Sequence, residues 1–319
     1  MDAEKRLALI RRNVVEVLTE PELMELLRKK TKPVVYCGYE PSGPLHLGHF
    51  VTITKLQELE KAGFKVKILL ADVHAFLNRK GAGKEIAKEV NAWKKTIKAI
   101  GLKAEIVLGS SFQFQKDYQL DVIKLAQKTT INRGLRCMQE IARDIEHATI
   151  SQLLYPLMQI VDVKHLQVDL ALGGLEQRKV HVLGREEEKL LGWNYVALHT
   201  PLITSLKDPG EKMSKSVPGS GIAVTDSYDE IKRTLQDAYC PEKIIENNPV
   251  LQIVKLIIFP RIKSIKIVRP AKFGGVIEFS SYNQLEIAYK EGKLHPLDLK
   301  NAVIEHLEKI IAPIRKNFR

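Results

Sequence analysis

The sequence feature that most constrains the fold is an alternation of short β-prone runs with segments whose apolar residues recur at helical spacing. The β-prone runs span residues 34–38, 66–70 and 104–108, with helical patterns between them. Parallel strands need a crossover connection, usually a helix, so the alternation predicts an α/β fold built on a parallel sheet. Ligands in such sheets bind beyond the carboxyl ends of the strands, which directs attention to the loop after Gly38 and to residues 71–74.

Residues with capping chemistry mark the helix ends. Thr19 followed by Glu22 forms a capping box, and the helix that begins there must end before Pro33. Gly63 and Gly101 each follow a helical pattern and suit the left-handed conformation that ends a helix.

The chain of 319 residues is long enough for two domains. After Asp226 the strand signal fades and helical patterns continue to residue 311. We therefore predict a larger domain over residues 1–225 and a smaller, mainly helical domain over residues 226–319.

One stretch of the second domain carries positive charge alone. The whole chain has a net charge of +12, and residues 250–277 contain no acidic residue. The basic residues of this stretch are Lys255, Arg261, Lys263, Lys266, Arg269 and Lys272. Solvated surfaces usually mix the two signs, so the excess indicates a polyanionic partner, without separating RNA, DNA and anionic lipid.

Composition excludes several other classes. No apolar run approaches the roughly 20 residues that a membrane span needs. The charged N-terminal segment 1–12 lacks the apolar core of a signal peptide, so we expect a cytoplasmic protein. Cys37, Cys137 and Cys240 are far apart in sequence, which argues against a disulfide framework and against a structural metal site.

Two histidines follow the first predicted strand, in the sequence His46-Leu47-Gly48-His49. Residues three apart share a helix face, and the N-terminus of a helix favours phosphate. Gly48 lets a flat base or a ribose approach the backbone closely. Either histidine alone would be read more simply as a capping or packing residue.

A second motif, Lys212-Met213-Ser214-Lys215-Ser216, lies in a loop rich in Gly and Pro. Two ammonium groups on a mobile loop suit the negative charge that develops when pyrophosphate leaves. A basic loop alone is an ordinary solvated segment. Downstream of a His-x-Gly-His turn in an α/β chain, it indicates nucleotide chemistry.

Together these motifs resemble the paired signatures of class I aminoacyl-tRNA synthetases. The second matches letter for letter, and the first departs only at Leu47, where isoleucine is commoner. Further matching segments are Tyr36–Gly43, Leu70–Ala75, Gly173–Lys179, Lys272–Gly275 and His295–Lys300. Over nearly its whole length the chain resembles the compact tyrosyl-tRNA synthetases of archaeal and eukaryotic type.

The resemblance implies a Rossmann-like catalytic domain over residues 1–225 and an anticodon-binding domain over residues 226–319. It implies activation of tyrosine by ATP with Mg²⁺, followed by transfer of the tyrosyl group to the terminal adenosine of tRNA(Tyr), without a structural metal. It also implies a homodimer formed through the connecting segment 110–150, in particular residues 129–143. Neither DNA nor a membrane is an expected partner.

The resemblance assigns the tyrosine pocket residue by residue. Tyr36 and Asp162 match the positions that hold the substrate phenol, and Tyr155, Gln159 and Gln177 match those that hold its ammonium group. A site that pairs a buried carboxylate with a hydroxyl rejects the analogue lacking the hydroxyl by roughly 10⁴ to 10⁵. Without the resemblance, Tyr36 would be read as a core residue and Asp162 as a turn cap.

Nucleotide and tRNA positions follow in the same way. The ATP positions are His46, Gly48, His49, Glu176, Lys212, Met213 and Lys215, and of these His46, His49, Lys212 and Lys215 are the catalytic candidates. Arg136 and Arg178 match residues at the first base pair of the acceptor stem. Phe273, His295 and Asp298 match readers of the first anticodon base, although His295 followed by Pro296 is also an ordinary helix start.

Three alternatives remain open on sequence alone. A tryptophanyl-tRNA synthetase shares the fold and both signatures and differs in its pocket. A non-catalytic RNA-binding homologue would be expected to show eroded signatures, and both are intact here. A cytidylyltransferase would have no use for the domain after Asp226.

Overall fold

The computed structural model describes residues 2–142, 144–215 and 217–318, so Arg143 and Ser216, and also the side chain of Phe273, lie outside the description. The chain divides into two compact units. The first unit comprises Met1–Ser42, Lys55–Lys94 and Leu102–Pro201, and the second comprises Gly43–Thr54, Lys95–Gly101 and Leu202–Arg319.

A six-stranded sheet forms the centre of the first unit. Its strands are β1 (Glu16–Leu18), β2 (Val34–Tyr39), β3 (Lys65–Leu70), β4 (Ala104–Leu108), β5 (Leu170–Gly174) and β6 (Val196–Thr200), in the spatial order β1-β6-β5-β2-β3-β4. Every neighbouring pair is parallel except β1 with β6. The predicted α/β fold with a parallel sheet is therefore confirmed.

Ten helices precede the last strand of this sheet in the described chain. They are α1 (Ala3–Arg11), α2 (Glu20–Lys29), α3 (Leu47–Lys61), α4 (Asp72–Leu77), α5 (Gly83–Ile100), α6 (Lys116–Lys128), α7 (Ile131–Met138), α8 (Ile150–His165), α9 (Arg178–Glu186) and α10 (Glu188–Leu191). The predicted capping box of Thr19 with Glu22 is present at the start of α2. Gly63 and Gly101 have φ angles of +92° and +78°, as expected for residues that end a helix.

The order of the strands places the first unit's candidate site. Strand β2 lies between β3 and β5. After β2 the chain adds β3 and β4 on one side of it, and then adds β5 and β6 on its other side. Such a switch point opens a crevice at the carboxyl ends of the strands. Tyr36 of β2, Ala171 of β5 and Val163 of α8 pack in one buried cluster beneath it.

The second unit is mainly helical in its longest segment. Its helices there are α11 (Tyr228–Gln236), α12 (Pro249–Ile253), α13 (Tyr282–Lys290) and α14 (Pro296–Phe318). An antiparallel hairpin of β7 (Ile265–Ile267) and β8 (Ile277–Phe279) begins inside the basic stretch, ends just beyond it, and was not predicted. Its only local signal is the alternation in Ile265-Lys266-Ile267, where the isoleucines are buried and the lysine is exposed.

Among the described residues, no helix is both long enough and apolar enough to cross a bilayer.

Candidate active site

A buried carboxylate, Asp162 of α8, lies at the centre of the polar residues assigned to the tyrosine pocket. Its Oδ1 accepts hydrogen bonds from the Tyr118 hydroxyl and the Gln113 amide, both at 2.8 Å. Its Oδ2 has no hydrogen-bond partner among the described residues, and His74 Nε2 lies 3.7 Å from it. Burial raises the pKa of Asp162 to about 7, and the two hydrogen bonds act in the opposite direction. One oxygen is thus fixed, and the other is available to accept from a ligand.

Tyr36 on β2 is almost fully buried, with 1% of its surface exposed. Burial, and next the charge of Asp162, raise the pKa of the Tyr36 phenol well above its ordinary value, while a hydrogen bond from Gln159 opposes the shift. The hydroxyl therefore stays protonated. The structure places Tyr36 near Asp162, as the pair assigned to the substrate phenol requires.

One face of α8 carries three of the predicted tyrosine-binding residues, Tyr155, Gln159 and Asp162, at helical spacing. The Tyr155 hydroxyl donates to Glu40 Oε1 at 2.8 Å, and the Gln159 amide donates to Gln177 Oε1 at 3.1 Å. Gln177 ends a short 3₁₀ turn, Leu175–Gln177, directly after β5. A row of phenol, amide and carboxylate groups therefore lines this side of the pocket.

Four residues of this pocket were not predicted: Glu40, His74, Gln113 and Tyr118. Glu40 and His74 fall in the two segments where the strand pattern directed the search, and His74 is buried, so its pKa falls to about 4 and the ring is neutral. Gln113 and Tyr118 carry no motif that could have identified them. Only tertiary packing brings them to Asp162.

In the second unit, the His46-Leu47-Gly48-His49 segment forms the first turn of α3. The backbone N–H of Gly48 donates to His46 Nδ1 at 3.1 Å, and the backbone N–H of His46 donates to His49 Nδ1 at 3.3 Å. The ring centroids are 3.8 Å apart. Since each Nδ1 accepts, each neutral ring carries its proton on Nε2, where it is a donor for a ligand oxygen.

Both imidazoles are neutral at physiological pH. Burial lowers the pKa of His46 to about 4, and the Lys215 and Lys212 ammonium groups act in the same direction. Burial also holds the pKa of His49 well below its ordinary value, with smaller contributions from His46 and Lys212. The histidines are therefore suited to donate hydrogen bonds rather than to act as cations.

Backbone pairing connects the two signature motifs within the second unit. The Leu47 N–H donates to the Ile222 carbonyl and the Val224 N–H donates to the Leu45 carbonyl, both at 2.9 Å. His46 and Ala223 thereby form an isolated antiparallel bridge. The segment that follows the lysine motif is in this way fixed to the histidine turn.

The lysine motif itself is partly buried. Met213 is 5% exposed, and its N–H donates to the Ile203 carbonyl at 2.9 Å. Lys212 forms an isolated bridge with Thr204, and Lys215 Nζ donates to Asp226 Oδ2 at 2.5 Å. Ser216, the last residue of the motif, lies outside the described residues.

The predicted residues fall in both units. Tyr36, Tyr155, Gln159, Asp162, Glu176 and Gln177 belong to the first unit, and His46, Gly48, His49, Lys212, Met213 and Lys215 belong to the second. Glu176, the ribose candidate, accepts a long hydrogen bond of 3.5 Å from the Gln177 amide. The first unit therefore contains the residues assigned to tyrosine together with Glu176, and the second contains the other residues assigned to ATP.

Arg136 and Arg178 line one cavity of about 240 Å³ in the first unit. Arg133 and Lys179 also line it, so its wall carries four positive side chains. Glu16 holds Arg178 with two hydrogen bonds of 2.8 and 2.9 Å. The cavity suits a polyanion.

The candidate anticodon readers lie at the start of α14 and in the short 3₁₀ turn Ala271–Phe273. His295 is exposed and its Nδ1 accepts from the Leu297 N–H at 3.2 Å, while Asp298 is half-buried in the first turn of the helix. The Phe273 side chain lies outside the description. Among the residues described, no group of three or more His, Cys, Asp or Glu side chains could hold a metal ion.

Comparison with known proteins identifies a family, similar sequences and a similar structure. A family profile described as tRNA synthetases class I (W and Y) matches residues 28–312. The tyrosine–tRNA ligase of Archaeoglobus fulgidus is 48% identical over 322 residues, covering 100% of this chain and 99% of its own length. That of Methanopyrus kandleri is 48% identical over 320 residues, covering 99% and 98%. The crystal structure of the A. fulgidus tyrosyl-tRNA synthetase complexed with L-tyrosine superposes with a TM-score of 0.96 and covers 100% of both chains, at 48% identity.

Proposed function

Because this chain belongs to the family of class I tRNA synthetases for tryptophan and tyrosine, we infer that it is a tyrosine–tRNA ligase. It uses ATP to activate tyrosine and transfers the tyrosyl group to tRNA. The observation that carries this function is the buried Asp162 carboxylate, one oxygen of which has no partner among the described residues, close enough to Tyr36 to raise the pKa of that phenol. A phenol can donate to the Asp162 carboxylate and accept from the Tyr36 hydroxyl, whereas the indole N–H of tryptophan can only donate.

We propose that specificity against phenylalanine arises at Asp162. Phenylalanine would leave the second oxygen of this buried carboxylate unpaired, which such sites reject by roughly 10⁴ to 10⁵. Tyr155, Gln159 and Gln177 hold the ammonium group through phenol and amide oxygens. Their spacing along α8 and the contact of Gln159 with Gln177 support this assignment.

For activation, the tyrosine carboxylate attacks the α-phosphate of ATP. The new bond joins a carboxylate oxygen to phosphorus, the bond to the β-phosphate oxygen breaks, and pyrophosphate leaves with its Mg²⁺. No protein base is needed, because the attacking carboxylate is already ionised. Catalysis therefore rests on positioning and on stabilising charge as it develops.

In this scheme the Nε2–H groups of His46 and His49 donate to nucleotide oxygens, and Lys212 and Lys215 neutralise the departing pyrophosphate. Gly48 and Met213 leave a flat surface for the nucleotide, and Glu176 accepts from ribose hydroxyls. The backbone pairing of the histidine turn with residues 222–224, which follow the lysine motif, supports a shared ligand.

We assign residues 1–225 to catalysis and residues 226–319 to anticodon binding. Arg136 and Arg178 contact the first base pair of the acceptor stem, which the basic cavity supports. Phe273, His295 and Asp298 contact the first anticodon base, and the basic residues between 255 and 272 neutralise phosphates. The proposed partner for all of these contacts is tRNA, and neither DNA nor a membrane is proposed as a partner.

The chain is further proposed to act as a cytoplasmic homodimer. Phe76, Phe114, Ile131 and Ile150 are 63%, 69%, 69% and 79% exposed, although they are large apolar side chains. Three of them belong to α4, α7 and α8, where α4 and α7 each pack against α8, and Ile131 lies in the predicted 129–143 segment. Exposed apolar groups on mutually packed elements suit a protein interface. Three free cysteines suit a reducing compartment.

The test is exchange of labelled pyrophosphate into ATP, with tyrosine, tryptophan or phenylalanine as the amino acid. Tyrosine alone should support exchange. Exchange with tryptophan but not tyrosine would identify the tryptophan-specific branch of the family, and no exchange with any of them would identify a non-catalytic homologue.

A further inference from the structure

Asp226 of the second unit has no role in the proposed reaction, but it contacts the lysine motif and the segment that pairs with the histidine turn. Its Oδ2 accepts from Lys215 Nζ at 2.5 Å and from the Ala223 backbone N–H at 2.9 Å. Ala223 is the residue that pairs with His46 across the isolated bridge. A single carboxylate oxygen thus connects the second signature lysine to the segment that is paired with the histidine turn.

This contact is well defined. Asp226 is largely buried, with 11% of its side chain exposed, and a charged hydrogen bond in such a place is stronger and more directional than one in water. Arg315 near the end of α14 donates to the Asp226 backbone carbonyl at 2.6 Å, and Glu308 on the same helix accepts from Arg315 at 2.6 Å. Arg315 therefore holds the backbone of Asp226 in place, while Lys215 and the Ala223 N–H hold its carboxylate.

Lys215 also lies near the His46 ring. Lys215 lies close enough to His46 for its charge to contribute to the low pKa of the imidazole, while its ammonium contacts Asp226. Lys215 Nζ also donates a long hydrogen bond of 3.5 Å to the Gly221 carbonyl, so of its three N–H donors one remains for a phosphate oxygen. A lysine side chain without such a contact would sample many rotamers, and ordering it would cost conformational entropy during catalysis.

We propose that Asp226 is a positioning residue that holds Lys215 beside the His46 turn, ready for the charge that develops on pyrophosphate. The inference rests on the proposed function, since it assigns a purpose to Lys215 in tyrosine activation. Asp226 does not touch substrate and acts only through the lysine.

The test replaces Asp226 by Asn in the full-length chain. D226N keeps an oxygen for the Ala223 N–H and removes the charge that orients Lys215. Tyrosine-dependent pyrophosphate exchange should slow in kcat by about 10- to 100-fold, the range expected for misplacing a catalytic group. KM for tyrosine and the thermal unfolding midpoint should stay at the wild-type values. Asp226→Ser, which keeps a short acceptor without charge, should show the same loss and serves as a second variant if D226N is unstable.

Glu291→Gln is the matched control. Glu291 accepts from Lys293 at 2.6 Å, so it belongs to a carboxylate–lysine pair of similar length in the same unit, in a segment that carries neither signature. Its rate of exchange should equal that of the wild type.

A double mutant distinguishes positioning from general structure. If Asp226 acts only through Lys215, adding D226N to Lys215→Ala should slow exchange no further than Lys215→Ala alone. Losses that multiply would overturn the proposal, as would a D226N rate equal to or above that of the wild type, which would mean that Asp226 withholds the lysine. A wild-type chain without tyrosine-dependent exchange would instead contradict the proposed function.

Discussion

At the scale of single residues, the proposed role of Asp162 follows from the cost of burying a carboxylate. A buried carboxylate is stabilised only if its oxygens are hydrogen-bonded. Tyr118 and Gln113 satisfy one oxygen and orient the other, so the group is pre-organised for a donor. The raised pKa expresses the same fact, because burial penalises the charged form until a ligand hydroxyl arrives.

Tyrosine binding should depend on pH through Asp162. A phenol that donates to the carboxylate favours its ionised form, so binding lowers a pKa that is about 7 without ligand. Affinity is then full above pH 7 and is lost as the pH falls, with Kd rising by about tenfold per pH unit in the acid limit. Equilibrium dialysis of labelled tyrosine between pH 5.5 and 8.5 measures this. Asp162→Asn should abolish the dependence; a flat profile for the wild type would contradict the assignment.

Tyr118→Phe should move that pH profile upward. The substitution removes one of the two hydrogen bonds that stabilise the Asp162 carboxylate, so its pKa rises and the midpoint of tyrosine binding shifts to higher pH. Tyr228→Phe, at a tyrosine whose hydroxyl donates to Glu305 in the second unit, is the control and should leave the midpoint in place. The same dialysis series reports both, and an unmoved midpoint in Tyr118→Phe would show that the bond has no influence on the site.

The signature lysines should affect rate much more than binding. Lys212→Ala or Lys215→Ala removes an ammonium proposed to stabilise the charge that builds up as pyrophosphate departs, so exchange should slow by about 10² or more while Kd for tyrosine stays within a factor of about two. Lys309→Ala, at an exposed lysine of α14, controls for the loss of one positive charge. Equal losses in rate and in tyrosine affinity would show that the lysines act before the chemical step.

At the scale of elements, the first turn of α3 is shaped by a close approach. A Cβ on Gly48 would lie 2.9 Å from the Cε1 atom of the His46 ring and 3.8 Å from Met213 Cβ. The absence of a Cβ on Gly48 therefore lets the His46 ring lie against the Gly48 backbone N–H, which donates to Nδ1 and leaves Nε2 as the donor.

Gly48→Ala should displace the His46 ring and slow tyrosine-dependent exchange while leaving tyrosine affinity intact, because the tyrosine pocket lies on other elements. Because a misplaced catalytic group slows a reaction, we expect the rate of exchange to fall by about 10- to 100-fold. Gly83→Ala in α5 is the matched control, since a Cβ there meets no atom within 4 Å among the described residues. Full activity in Gly48→Ala would exclude a role for the close approach.

At the scale of the whole molecule, the proposal assigns amino-acid activation and RNA recognition to different residues. Arg136→Gln and Arg178→Gln should lower the rate of tRNA charging at limiting tRNA and leave pyrophosphate exchange unchanged, because activation needs no tRNA. The salt dependence of tRNA binding should also become shallower, since fewer phosphates are neutralised. Arg28→Gln, at an exposed arginine of α2, is the control. A parallel loss of exchange would place these arginines in the catalytic pocket instead.

Local patterns predicted much of the architecture. The bounds of β2 and β3 differ from the predicted runs by one residue at one end, and β4 agrees at both ends, because apolar periodicity and capping residues act over a few positions. The hairpin of β7 and β8 escaped prediction because strands of three residues are too short to show a periodicity. Gln113 and Tyr118 escaped because neither belongs to a motif.

The sequence by itself determined where β2, β3 and β4 form, that these strands are parallel, and the class of reaction, because these follow from local periodicity and from two short motifs. Only the tertiary structure decided which oxygen of Asp162 faces a ligand, which nitrogen of each signature histidine donates, and which carboxylate holds Lys215. The physical reason is that hydrogen-bond partners and desolvation depend on packing between segments far apart in the chain. Gln113 reaches Asp162 across 49 residues, and no local pattern encodes that distance.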